Sequence, residues 1–280
     1  MGYQAKGKSV NTTTPVAPAL YIPHGGGPLP VMGDSNHTEL ISFLKSVPDQ
    51  MPTPAAILVV SAHWENSTTS IMSAANPSMH YDYSGFPAET YKYHYPAPGS
   101  PAIAAEIMQE LQKAKFDCQL DESRDYDHGL FIPLMLMYSK AEIPCLQVSL
   151  QNNLDAGSHI KLGQILASLR KQNVLILGSG MSFHNFSAFF DPTLGDGTES
   201  DQFQDWILDV CVRGDAPLQD RIDRMADWQS APCARFCHPR EEHLLPLHVC
   251  FGAGIETSQT AEIVFDSKIL GKRVVGLMWR

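Results

Sequence analysis

The chain has 280 residues, 44% hydrophobic and 18% charged, which suits one large α/β domain or two small ones around a substantial core. Its formal net charge is −10 and no basic run is longer than Lys272-Arg273, so nucleic acid and anionic membrane surfaces are poor candidates as partners. No stretch approaches the roughly 18 apolar residues of a membrane helix, and residues 1–14 lack the apolar core of a signal peptide, so a flexible tail over residues 1–16 and a cytoplasmic location are expected.

An apolar run at 17–22 predicts a first strand, and His24 follows it in His24-Gly25-Gly26-Gly27-Pro28. The three glycines let the backbone take positive φ and pass close to a ligand. The same letters open the oxyanion loop of lipases, but no G-x-S-x-G elbow accompanies them, and Gly178-Ser179-Gly180-Met181-Ser182 has the wrong spacing. A P-loop pattern is also missing. Residues 37–47 place Leu40, Ile41, Phe43 and Leu44 at helical spacing. Residues 56–62 form a second strand without polar alternation, as a buried central strand does. His63 follows it. A histidine there is a packed core residue or a ligand, and its pairing with His24 on a similar strand end favours the ligand.

Residues 76–101 break the rhythm with five prolines and six tyrosines or phenylalanines. The part from Tyr93 to Pro101 is too proline-rich for regular structure, so the segment reads as a lid or binding loop, or as a rigid connection whose aromatics pack on the core. Helices are expected at 101–114, opened by Pro101, and at 130–140. His128 precedes the second of these, with Asp127 beside it as an N-cap or as a partner that orients the ring.

A strand at 143–149, a helix at 156–171 and a strand at 173–178 come next. The last strand leads through Gly178-Ser179-Gly180 to His184, a candidate acid/base or helix cap. A helix at 199–212 precedes Glu241-Glu242-His243, which opens an apolar helix over 241–253, and strands at 260–265 and 273–279 close the chain. The carboxylates there also suit a helix N-terminus through the dipole. Cys233 and Cys237 have no second pair to complete a zinc site, and Cys145 and Cys250 read as buried thiols. His37, His80, His159, His238 and His248 read as surface or packing residues, with His94 and His238 as candidates for a pocket rim.

Strands alternating with helices argue for a three-layer α/β domain. In an open α/β sheet, ligands bind beyond the carboxyl ends of the strands. His24, His63 and His184 therefore converge on one crevice if their strands are neighbours. Histidine is the commonest metal ligand and the usual acid/base near neutral pH, so the pattern predicts a buried metal site with histidine acid/base groups around it.

Pro23-His24-Gly25-Gly26-Gly27-Pro28, Ser61-Ala62-His63-Trp64, Asp127-His128-Gly129, Gly178-Ser179-Gly180 to His184-Asn185 and Glu242-His243-Leu244-Leu245-Pro246-Leu247 resemble the class III (LigB-type) extradiol ring-cleavage dioxygenases, more narrowly their 4,5-DOPA dioxygenase group. The motifs come in the family's order from residue 18 to residue 279. The resemblance implies a single α/β/α domain over 17–280 around a mixed central sheet. It also implies a mononuclear Fe(II), with zinc sometimes in its place, and cleavage of a substituted catechol such as DOPA by O2. His24 and His63 match metal ligands, His184 an acid/base, and His128 a histidine that contacts substrate or oxygen. The third ligand is Glu242 in the LigB pattern and His243 in the DOPA-type pattern. Neighbouring helical residues point about 100° apart, so one of the two should reach the metal better, and His243 is favoured. Three imidazole ligands would also suit zinc, so a zinc hydrolase on the same scaffold is the rival enzyme, and a catalytically silent metal or small-molecule binder is the non-enzymatic rival.

Overall fold

The computed structural model describes residues 15–191, 193–195 and 197–280. Most of the expected tail at 1–16 lies outside the described residues; Pro15 and Val16 are exposed. Among the described residues one sheet contains eight strands: β1 (Ala19–Pro23), β2 (Ala56–Asn66), β3 (Thr69–Met72), β4 (Cys118–Asp121), β5 (Cys145–Gln151), β6 (Val174–Gly180), β7 (Glu262–Ile269) and β8 (Lys272–Trp279). Their order is β4-β3-β5-β2-β6-β1-β8-β7. The central four, β5, β2, β6 and β1, run parallel, while β3 and β8 pair antiparallel with β5 and β1. The sheet is therefore mixed, as expected. β3 and β4 were not foreseen. Each is four residues long, and β4 is a partly exposed edge strand with no apolar run to mark it.

The central strands are almost wholly buried because helices cover both of their faces. β6 shows the alternation. A Cβ on Gly178 would lie 2.6 Å from Cys250 Sγ and from the Pro246 carbonyl oxygen, so this residue faces the helix Leu245–Ile255. Ser179 points the other way, and its hydroxyl donates to the Gly129 carbonyl in the helix His128–Met137. The helices Pro101–Lys113, Ala156–Leu166 and Leu245–Ile255 cover one face, and Thr38–Ser46 and His128–Met137 cover the other. The result is a single three-layer α/β/α domain with one continuous core.

Two helix starts differ from the sequence reading. The helix His128–Met137 begins earlier than 130, because the Asp127 carboxylate accepts the Leu130 N–H at 3.3 Å and caps it. The last helix begins at Leu245 rather than 241. Pro246 suits a first helical turn, where its missing N–H costs nothing. Glu241, Glu242 and His243 thus sit in the turn before it, where the Glu241 carbonyl accepts the N–H groups of Leu244 and Leu245. Short helices at Leu29–Met32, Phe186–Phe190, Leu218–Ala226 and Ala234–Cys237 were also unforeseen.

Candidate metal centre and catalytic cavity

β2, β6 and β1 are adjacent, so their parallel carboxyl ends open on one crevice. His24 stands just past β1. His63 does not follow β2 but lies within it, because the strand continues through a bulge: its register with β5 shifts between Val60 and Glu65. Its Nε2 comes 3.2 Å from Nε2 of His24. His243 completes a cluster of three imidazoles whose ligand atoms lie within 4.8 Å of one another. The two glycines flanking Ser179 make this possible. A Cβ on Gly180 would sit 2.2 Å from the His243 carbonyl oxygen, which Met181 N–H and the Tyr21 hydroxyl hold at 3.0 and 3.2 Å.

Hydrogen bonds fix the tautomers of His24 and His243. The Ser179 hydroxyl spends its proton on the Gly129 carbonyl, so it can only accept from His24 Nδ1, 3.0 Å away. His243 Nδ1 lies 2.9 Å from Glu242 Oε1, and His63 Nδ1 lies 3.5 Å from Asp82 Oδ2. A carboxylate only accepts, so His243 Nδ1 carries the hydrogen and its Nε2 keeps the lone pair, as in His24, whereas His63 Nδ1 faces Asp82 at ion-pair range without a hydrogen bond. Burial pulls all three imidazoles well below their ordinary pKa, and the neighbouring histidines add to the effect, so they are neutral at pH 7. Two imidazole nitrogens 3.2 Å apart either share a hydrogen, His63 donating to the free Nε2 of His24, or hold a cation between them. That spacing suits two ligands each about 2.1 Å from one divalent ion. The donor set therefore fits a metal, and His24 and His243 each have the hydrogen-bonded outer partner that orients such histidines.

His128 packs against His63, with ring centroids 3.8 Å apart. Asp82, not Asp127, orients it: Asp82 Oδ1 accepts from His128 Nδ1 at 2.8 Å and from its backbone N–H at 3.0 Å. Asp127 is taken up by Ser61, Arg124, Gln147 and the helix cap. His184 stacks on His243 at 3.4 Å, with its Nδ1 3.4 Å from Glu242 Oε1. Burial would raise the carboxyls of Asp82 and Glu242, but hydrogen bonds from His128 and His184, with further favourable contacts, hold both below their ordinary values.

These groups line a cavity of about 390 Å³ together with the glycine loop and with Asp82, Tyr83, Ser84 and Phe86 of the 76–101 segment. That segment divides in two. Asp82, Tyr83, Ser84 and Phe86 line the cavity, whereas Tyr95 and Ala97 are buried and the Pro98 carbonyl accepts Cys145 N–H at the start of β5. All five expected site histidines, His24, His63, His128, His184 and His243, meet at the cavity. His94 and His238 are not on its rim: the first is exposed elsewhere, and the second is fully buried with its Nε2 on the Ser182 carbonyl at 2.9 Å. His37 is a support, accepting Gly26 N–H at Nε2 over 3.2 Å. Asp82 and the supporting role of Ser179 were missed. Asp82 sits in an aperiodic aromatic stretch, and only its place between Tyr81 and Tyr83 at the head of the loop could have hinted at it.

Residues 18–275 match the family described as the catalytic LigB subunit of aromatic ring-opening dioxygenase. The chain is 36% identical to a dioxygenase of Hapsidospora irregularis, over 96% of this chain and 87% of that protein. It is 37% identical to the 4,5-DOPA dioxygenase extradiol of Beta vulgaris, over 89% and 90%. Its fold is similar to that of an uncharacterised Escherichia coli K12 protein seen in a crystal structure, with a TM-score of 0.74, 26% identity, and coverage of 94% of this chain and 100% of that one.

Proposed function

The chain belongs to the LigB family of aromatic ring-opening dioxygenases, and on that premise we propose that it opens a substituted catechol such as DOPA with O2, using Fe(II) held by His24, His63 and His243. The observation that carries the ligand set is the convergence of three neutral imidazoles whose ligand atoms lie within 4.8 Å of one another, with Nδ1 of His24 and His243 each hydrogen-bonded to an outer partner. Glu242 supports His243 in this reading rather than replacing it. When bound, the ion supplies a template for both catechol oxygens and for O2.

His184 is the proposed acid/base. With Nδ1 turned to Glu242, its Nε2 is free to take a phenolic proton and return it as the ring opens. His128, fixed by Asp82, offers its Nε2 on the His63 side to substrate or oxygen. Residues 82–86 of the 76–101 segment act as the lid that shields this chemistry from water. All six cysteines are free, and no described helix is long and apolar enough to cross a membrane; the free thiols support a cytoplasmic location.

The test is oxygen uptake. Protein loaded anaerobically with Fe(II) should consume one O2 per ring and give a yellow ring-opened product from DOPA or another catechol. Zinc has no redox chemistry, so the zinc-loaded protein should bind catechols without consuming oxygen. No uptake by the Fe(II) form across DOPA, protocatechuate and alkylcatechols would remove the reading.

A further inference from the structure

Among the described residues that line the cavity there is neither a lysine nor an arginine. A carboxylate on the substrate would find no guanidinium or ammonium there. It would meet instead the Asp82 carboxylate, the Ser84 hydroxyl, and glycine-loop amides of which Gly26 N–H is already taken by His37. Burying a carboxylate without a charged partner is costly.

The apolar lining is extensive and reaches the surface. Leu29, Met181, Ile269 and Leu270 line the cavity, as do Phe186 and Phe190. Those two phenylalanines are 70% and 65% exposed, yet they belong to a fixed element. Their helix, Phe186–Phe190, is capped by the Asn185 side chain, which also donates to the Phe236 carbonyl at 2.8 Å. Phe189 anchors it by packing on Phe183 with ring centroids 5.2 Å apart. Phe186 and Phe190 are four residues apart, so they share one face, and their rings lie 5.0 Å from each other. This face begins two residues after His184 and continues the cavity wall outward. The cavity itself lies within the ~300–1,000 Å³ of pockets that bury ligands well beyond one ring.

We propose that the preferred catechol carries an uncharged, apolar substituent that runs from the histidine cluster out along Phe186 and Phe190. This rests on the ring-opening reading above and narrows its substrate class away from amino-acid and carboxylate catechols.

The test is binding, then turnover. Metal-loaded protein is titrated anaerobically by calorimetry with catechol, 4-ethyl-, 4-butyl- and 4-hexylcatechol, DOPA and protocatechuate. Affinity should rise up to about fourfold per added methylene, the factor expected from its transfer out of water. DOPA and protocatechuate should bind at least tenfold more weakly than 4-hexylcatechol. The ratio of kcat/KM for 4-hexylcatechol to that for catechol should fall in Phe186→Ser and Phe190→Ser. Equal or tighter binding of DOPA, or no gain with chain length, overturns the proposal. Tighter binding of alkylcatechols without oxygen uptake upholds this preference while removing the dioxygenase reading.

Discussion

Asp82 holds His128 twice, through the ring Nδ1 at 2.8 Å and through the backbone N–H at 3.0 Å, and its second oxygen faces His63 Nδ1 at 3.5 Å. One carboxylate from the 76–101 segment therefore touches both a proposed metal ligand and the histidine beside it. The loop that borders the cavity is thereby tied to the geometry of the histidine cluster.

Asp82→Ala should reduce metal affinity or turnover by about 10- to 100-fold, the usual cost of losing an outer partner of a metal-bound histidine. Asp82→Asn keeps an acceptor oxygen and should recover part of that loss. Metal titration and steady-state kinetics on both variants, with thermal melting as a control for folding, make the check. Equal damage from Asn and Ala would mean that the charge, not the acceptor geometry, is what matters.

Glu242 Oε1 is 2.9 Å from His243 Nδ1 and 3.4 Å from His184 Nδ1, so it serves both rings. His243→Ala should abolish tight metal binding, whereas Glu242→Gln should weaken it by about 10- to 100-fold. Competitive chelator titration measures both. The reverse order would make Glu242 the ligand.

His184→Ala should keep metal and catechol binding and lose turnover by about 10²–10⁴-fold, the span of a positioned acid/base. Anaerobic catechol binding and single-turnover rates separate the two effects. Unchanged turnover would remove His184 from the chemistry.

Gly129 follows His128 for a steric reason. A Cβ there would lie 2.3 Å from Ser61 Oγ, 3.1 Å from Asp127 Oδ1 and 3.2 Å from His63 Cδ2. Gly129→Ala should displace His63 and lower metal affinity by at least tenfold, even though alanine is the better helix former. Wild-type affinity in this variant would show that the site relaxes around the methyl group.

The sheet and the five histidines were legible because buried parallel strands leave apolar runs and because ligand sites gather at their carboxyl ends. His24, His63 and His184 were readable from that rule alone. The Glu242/His243 choice was not, because it was argued on helical geometry. Pro246 in fact starts the helix later, and in a turn both residues can face the same cluster. Asp82 and Ser179 act through hydrogen bonds made across the fold, and such contacts leave no periodic trace in the chain. β4 was hidden for a different reason: a short edge strand with exposed side chains carries no apolar signature.

Stability should depend on pH through a histidine remote from the cavity. His248 is fully buried in the last helix, with Nε2 3.0 Å from the Met225 carbonyl and Nδ1 3.3 Å from that of Leu244. Burial pushes its pKa down to about 4, and the nearby His159 adds to this while Glu241 opposes it. In the unfolded chain the same ring titrates near ~6.5. Between these two values the unfolded state binds more protons than the native state. The stabilisation is thus fully present above pH ~6.5, falls as the pH drops toward about 4, and changes no further below it. The whole effect is at most on the order of 3 kcal/mol. Burial also lowers the pKa of His159 and His238, which contribute in the same direction, so the informative quantity is a difference between proteins. Urea unfolding at pH 7.5 and pH 4.5 should show a smaller loss of stability in His248→Phe, which cannot take up a proton, than in the unaltered chain. Identical losses in the two proteins would mean that protonation of His248 does not oppose folding.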